Sequence, residues 1–187
     1  MTDHRQNLEL KVRCTDEQLA RITARLESLV CAPIQPLHQV DTYFRVDQGR
    51  LKLRELRDPA NPSTLQRAEL IAYARPTDAG TRLSTYEVVP VAAAEVLVLL
   101  RALGLTHSQL VRVEKRRNVG IIGRTRVHLD RVTGLGSFVE LETVLEGQAP
   151  EAAEVEHRQV IAALDLGPLD SIAGSYSDLL LADRTGG

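Results

Sequence analysis

Along this chain, short segments recur in which every second residue is charged and the residues between are aliphatic. The first reads Asn7-Leu8-Glu9-Leu10-Lys11-Val12-Arg13, and a second reads Arg50-Leu51-Lys52-Leu53-Arg54. Two more are Arg124-Thr125-Arg126-Val127-His128-Leu129-Asp130 and Phe138-Val139-Glu140-Leu141-Glu142-Thr143-Val144. Side chains alternate faces along a strand, so each segment carries one charged and one apolar face. Between the first two segments the period changes. Thr15-Asp16-Glu17-Gln18 opens a helix as a capping box, Leu19, Ile22, Leu26 and Leu29 form its apolar stripe, and Pro33 and Pro36 end it.

Further strands are predicted over Leu37–Val46, Leu65–Arg75, Leu83–Val89 and Leu110–Val119, and the charged segments extend to Arg57, Val132 and Leu145. Asp47-Gln48-Gly49 supplies a hairpin turn, Asp58–Ser63 and Pro76–Gly80 read as loops, and Gly120 and Thr133–Gly136 separate the later strands. Helices are predicted over Ala92–Leu103, Pro150–Leu164 and Tyr176–Leu181, before a flexible tail over Asp183–Gly187. The total is about eight strands, mostly joined as antiparallel hairpins. Their charged faces cannot lie against an apolar core. Closing the sheet resolves this: an α+β fold, an eight-stranded antiparallel β-barrel with a wet lumen and helices packed outside. Residues 1–182 are expected to form a single domain.

Composition narrows the function. The 187 residues have a formal net charge of −2, which speaks against a nucleic-acid partner, so any strongly basic site must be local. The longest aliphatic run, Val88–Leu100, is too short and interrupted to span a bilayer. Cys14 and Cys31 show no metal-ligand spacing and no signal segment precedes them, so a cytoplasmic protein with free thiols is expected. Aliphatic strand faces outside a barrel could pair two copies into a homodimer.

The chemistry lies in the alternating charges. Lys11, Arg13, Arg50, Lys52, Arg54, Lys115, Arg117, Arg124 and Arg126 come from separate strands at alternate positions, as a phosphate chain needs. Arg75, at the end of its strand, joins the expected substrate-binding residues. Glu140 and Glu142 share a face, and Glu9 and Asp130 stand on strands of the same kind. Such hard oxygen donors suit Mg²⁺ or Mn²⁺ bridging carboxylates and phosphates. The bland alternative is a salt-bridge network among the same side chains. No Gly-rich phosphate loop, nucleophile elbow or Cys-His pairing stands out.

Several segments together resemble the CYTH superfamily, which joins class IV adenylyl cyclases to thiamine and inorganic triphosphatases. They are Leu8-Glu9-Leu10-Lys11, Val40-Asp41-Thr42-Tyr43-Phe44, Leu51-Lys52-Leu53-Arg54-Glu55 and Val113-Glu114-Lys115-Arg116-Arg117. His128–Val132, Gly134–Glu142 and Ser175-Tyr176-Ser177-Asp178-Leu179-Leu180 complete the set. The resemblance implies a tunnel holding a triphosphate-containing small molecule (ATP, tripolyphosphate or thiamine triphosphate) with Mg²⁺ or Mn²⁺. It implies metal binding by Glu9, Asp130, Glu140 and Glu142, and phosphate contacts from Lys11, Arg54, Lys115, Arg117 and Arg126. Lys11, Lys115 and Arg117 are the expected catalytic residues, and Arg13, Lys52, Arg54, Arg75, Arg124 and Arg126 the expected substrate-binding ones.

The closest look is to class IV cyclases, which convert ATP to cyclic AMP and pyrophosphate. A triphosphatase is the alternative, and a non-catalytic phosphate-ligand binder is a third. The third is prompted by Asn7, which stands where the Glu-x-Glu-x-Lys signature has its first glutamate.

Overall fold

The computed structural model describes residues 7–74, 85–145 and 149–185. Eight strands form one antiparallel sheet: β1 (Asn7–Cys14), β2 (Gln35–Phe44), β3 (Arg50–Arg57), β4 (Leu65–Ala74), β5 (Thr85–Val91), β6 (Gln109–Ile122), β7 (Thr125–Val132) and β8 (Gly136–Val144). Helices α1 (Asp16–Leu29), α2 (Val96–Thr106), α3 (Pro150–Ala163) and α4 (Tyr176–Thr185) complete the fold. The spatial order is β1-β8-β7-β6-β2-β3-β4-β5. The sheet curls until residues from β1, β2, β3, β4, β6 and β8 line one cavity, which is the predicted lumen.

Alternation places the residues as expected. The even positions of β1 and the odd positions of β7 and β8 point outward. There Val12, Val127, Leu129, Val139 and Leu141 pack beneath Leu19, Ile22 and Leu26 of α1 and Val160 of α3. A second outer cluster joins Phe44, Leu53 and Ala68 to Val96 of α2. Thr15 caps α1 as the sequence predicts, its hydroxyl accepting from the Gln18 amide while Gln18 Oε1 accepts from the Thr15 amide.

Two boundaries differ from expectation. β6 runs on to Ile122, so Gly120 lies within the strand rather than in a turn. A Cβ at Gly120 would come within 2.9 Å of Leu26 Cδ2, so glycine lets α1 approach the sheet. The turn falls instead at Gly123-Arg124, between the paired Ile122 and Thr125, with Gly123 at φ +59°. At the C-terminus the last helix continues past Leu181 to Thr185.

Inward-facing positions change character along the strands. Charged residues give way to Val111 and Val113 on β6, Val132 on β7 and Phe138 on β8, and these pack with Tyr43 and Tyr176. Leu179 and Leu180 of α4 lie against the same cluster. The lumen is therefore filled with apolar side chains at one end. The return of the chain builds this stopper: Ser171 bridges Val12, Ile172 N–H donates to Lys11 C=O at 2.8 Å, and α4 follows. Arg50 ties α4 to β3, donating to Ser175 Oγ at 2.9 Å and pairing with Asp178 at 2.9 Å.

Candidate active site in the barrel lumen

A cavity of about 180 Å³ occupies the charged part of the lumen. Its lining includes Glu9 and Lys11 from β1, Asp41 and Tyr43 from β2, Lys52 and Arg54 from β3, Lys115 and Arg117 from β6, and Glu140 and Glu142 from β8. Tyr73, Ser175 and Tyr176 also face it.

Two carboxylates organise the cations. Asp41 accepts from Lys52 Nζ at 2.8 Å and from Arg54 through Nε at 2.9 Å and Nη2 at 3.0 Å. Burial alone would push the Asp41 carboxyl up; Lys52 and Arg54 overrule it and hold it far below the usual range. Asp130 accepts from Arg117 at 2.6 Å on each oxygen, and from the Tyr176 hydroxyl at 2.8 Å. Lys115 Nζ lies 3.6 Å from the same carboxylate. Burial raises the Asp130 carboxyl, but Arg117 and Lys115 bring it down to about 2.

Arg117 reaches Glu140 as well, at 2.7 Å, and Lys11 pairs with Glu140 at 3.2 Å. Lys11, ahead of the nearby His128 ring and the charge on Arg117, outweighs burial and holds Glu140 well below the usual carboxylate range. Tyr176 packs its ring against both lysines, with Lys11 at 4.4 Å and Lys115 at 5.0 Å from the centroid. Burial, followed by the charge on Arg117, lowers Lys115 to about 8 against the pull of Asp130, Glu140 and Asp41.

The expected residues thus divide. Lys11, Lys52, Arg54, Lys115, Arg117, Glu9, Glu140 and Glu142 converge on the cavity. Asp130 lies behind its wall with no exposed surface. Arg126 stands at the rim, half exposed and 3.7 Å from Glu142. Arg13 faces the stoppered end, where it donates to Leu135 C=O at 3.3 Å and lies 5.0 Å from the Phe138 ring centroid. Arg124 was expected on a strand but sits in the β6–β7 turn, its amide donating to Glu156 at 2.7 Å. Arg75 lies outside the described residues.

Asp41, Tyr43, Tyr73 and Tyr176 were not named as site residues from the sequence. Asp41, Tyr43 and Tyr176 fall within quoted motifs, and Gln39, Asp41 and Tyr43 share one face of β2 by alternation.

The acids at the open end fit a divalent metal. Among the described residues no group of three or more His, Cys, Asp or Glu side chains is placed to hold a metal ion by itself. Glu9 and Glu142 are nevertheless direct cross-strand partners. Like charges so placed repel, and a cation between them relieves this. Asn7, on the same face of β1, has a buried Oδ1 with no hydrogen-bond partner among the described residues. Mg²⁺ needs only one or two carboxylates when substrate phosphates complete its shell, so this donor set suits an ion bound together with substrate.

The fold and the lumen define an eight-stranded antiparallel barrel with a densely charged interior. The CYTH domain matches residues 5–176, and the chain belongs to the CYTH family. That family acts on triphosphates, as cyclases and triphosphatases, and generally uses divalent metals. No curated protein matches the chain.

Solved structures share the fold. PH1012 of Pyrococcus horikoshii OT3 superposes with a TM-score of 0.73 at 21% identity, over 92% of this chain and 98% of that one. HpAC1 from Hippeastrum, an adenylyl cyclase candidate described with a dominant triphosphatase activity, gives 0.67 at 12% identity, over 97% and 96%. The RNA triphosphatase domain of the mimivirus mRNA capping enzyme gives 0.56 at 12%, over 87% and 90%. No helix among the described residues is long and apolar enough to cross a membrane.

Proposed function

We propose that this protein hydrolyses a compact triphosphate in a divalent-metal-dependent reaction. The single observation that carries this reading is a cavity of about 180 Å³ ringed by Lys11, Lys52, Arg54, Lys115 and Arg117, with Glu9 and Glu142 at its open end. Sites that enclose a drug-sized ligand measure about 300–1,000 Å³. This one is smaller than that range and suits a polyphosphate chain.

The residues act by position and charge. Lys11, Lys115 and Arg117 meet the phosphates at the deep end, and Lys52 and Arg54 meet them from the facing strands. Asp41 and Asp130 hold the two guanidiniums in fixed orientations. When the anhydride breaks, charge builds on the leaving pyrophosphate, and these preorganised cations stabilise it. Water adds to the terminal phosphorus and the anhydride bond breaks, giving orthophosphate and the remaining diphosphate, which is pyrophosphate when the substrate is tripolyphosphate. A divalent ion held by Glu9 and Glu142 would polarise the phosphoryl oxygens.

The second reading is cyclisation of ATP, with the ribose 3′-oxygen attacking the α-phosphorus. One observation favours it: Tyr43 and Tyr73 stand side by side on the cavity wall, 5.4 and 5.7 Å from Lys52 Nζ, where a base or ribose could rest. Incubation with Mg²⁺ or Mn²⁺ and tripolyphosphate, thiamine triphosphate or ATP separates the readings. Orthophosphate release supports hydrolysis, and cyclic AMP with pyrophosphate supports cyclisation. Saturable binding without product would overturn both in favour of a phosphate-ligand binder.

A further inference from the structure

On the other side of the same sheet, strand register lines up a second basic group. His38 on β2 stands opposite Arg116 on β6, Arg116 opposite Arg131 on β7, and Arg131 opposite Ser137 on β8. All face outward, because their neighbours Lys115, Arg117 and Asp130 face the lumen. These four side chains, with Asp16, Glu114 and Thr133, line a cavity of about 470 Å³. That volume lies within the range of small-molecule sites and exceeds that of the lumen cavity.

From this arrangement we infer that the outer face of β6 and β7 carries a binding site for a small organic phosphate monoester, held chiefly by Arg116 and Arg131. Two arginines directly opposite on neighbouring strands repel unless an anion lies between them. Arg131 has only a loose counter-ion, Asp16 at 3.6 Å. Arg116 has no ion-pair partner among the described residues. Glu114 does not neutralise the pair, because it is taken by Arg112 at 2.8 Å and His38 at 2.9 Å. Two guanidinium forks converging on one cavity match a phosphate's three oxygens.

The rim gives the ligand its remaining character. The Thr133 hydroxyl and the carboxylates of Asp16 and Glu114 suit hydroxyl groups beside the phosphate. The same acids disfavour a polyanion such as nucleic acid, in line with the net charge of −2.

The test is a titration of the ¹⁵N-labelled full-length chain with glucose 6-phosphate, following backbone amides. The amides of Arg116, Arg131, Thr133 and Ser137 should shift saturably. In an Arg116→Ala/Arg131→Ala variant their apparent affinity should fall by about tenfold or more. Both arginines are exposed, so the variant should keep the wild-type unfolding midpoint. Absence of saturable shifts in this group overturns the proposal. So do shifts confined to lumen amides such as Lys11 and Glu140, shifts unchanged in the variant, and equal shifts from potassium chloride at matched ionic strength. None of these readouts depends on turnover in the lumen.

Discussion

Asp41 and Asp130 each grip an arginine through two oxygens, yet the two pairs occupy different environments. Asp130 is sealed: it has no exposed surface, the Tyr176 hydroxyl closes its remaining side, and Arg117 is itself buried. Asp41 forms part of the cavity wall, and the Arg54 side chain remains 26% exposed. The Asp130 carboxylate therefore acts as a sealed anchor behind Arg117, whereas the Asp41 carboxylate is itself part of the cavity wall. Water access makes the difference. A buried charge that loses its partner cannot be resolvated, whereas one on a wet wall can.

The sharpest way to break this comparison is to remove both anchors in turn. Asp130→Ala should destabilise the protein by about 3–5 kcal/mol, because buried Arg117 loses its bidentate partner and keeps only Glu140, while the Tyr176 hydroxyl loses its acceptor. Asp41→Ala should cost less, about 1–3 kcal/mol, because solvent reaches Arg54 even though buried Lys52 also loses its carboxylate. Urea unfolding of the two variants checks the pair. Equal losses would show that the two carboxylates play the same structural part. If Asp130→Ala left stability intact but abolished metal dependence, Asp130 would be a metal ligand as the family resemblance implies, not an anchor.

The comparison extends to the acids. Glu142 pairs with Arg126 at the rim at 3.7 Å, and faces Glu9 across the strand pair. Glu142→Gln should lower metal-dependent turnover of tripolyphosphate by about a hundredfold or more. Its unfolding midpoint should stay level or rise, because a like-charge repulsion disappears. Glu140→Gln should behave otherwise and lose stability as well, since Lys11 and Arg117 both depend on that carboxylate. Rates measured over a Mn²⁺ titration, beside thermal melts, separate the two glutamates.

These distinctions mark how far the sequence could be read. Alternation exposed β1, β3, β7 and β8 because nearly every inward position there is charged, and it placed Lys11, Lys52, Arg54 and Glu140 correctly on the lumen face. It was less telling on β2, where Gln39 and Tyr43 flank Asp41 and no charged row announces the face. Arg124 was misplaced because strand ends depend on pairing: Ile122 and Thr125 face each other, and the turn follows from that. Tyr176 belongs to no periodic pattern at all. It reaches Asp130 because the chain returns along β1 over Asp170–Ile172, a contact between distant segments that local rules do not encode. The apolar stopper was present in the sequence as Val111, Val113, Val132 and Phe138. Three inward valines and one phenylalanine become a stopper only when α4 is packed on them.

Lys115 carries a smaller test. Asp41, Asp130, Glu140, Arg117 and the Tyr176 ring all face it, and its folded value of about 8 lies below the ordinary 10.5. Below pH 8 both folded and unfolded states hold the proton, and the burial cost is fully present. Between pH 8 and 10.5 the unfolded chain binds more protons than the folded one, so stability rises with pH over that window. Subtracting the pH profile of Lys115→Met from that of wild type should isolate this slope. Substrate affinity should move the other way, with KM rising severalfold above pH 8 as the ammonium loses its charge. A flat KM profile would show that Lys115 does not meet the phosphates as a cation.

The mildest expected effect concerns Asn7, whose Oδ1 is buried beside the Glu9–Glu142 pair without a partner among the described residues. A carboxamide oxygen offers a metal one neutral ligand, where a carboxylate would add a charge. Asn7→Glu should therefore lower the Mg²⁺ or Mn²⁺ concentration for half-maximal turnover by a few-fold, while a third acid at the open end should reduce stability slightly in the absence of metal. Both changes come from the same added charge, so they should appear together. Raising the metal concentration should then restore the variant's melting point to at least that of wild type. An unchanged metal titration would place the ion elsewhere than at the open end, and would remove the functional contrast between the Glu9–Glu142 pair and the sealed carboxylate of Asp130.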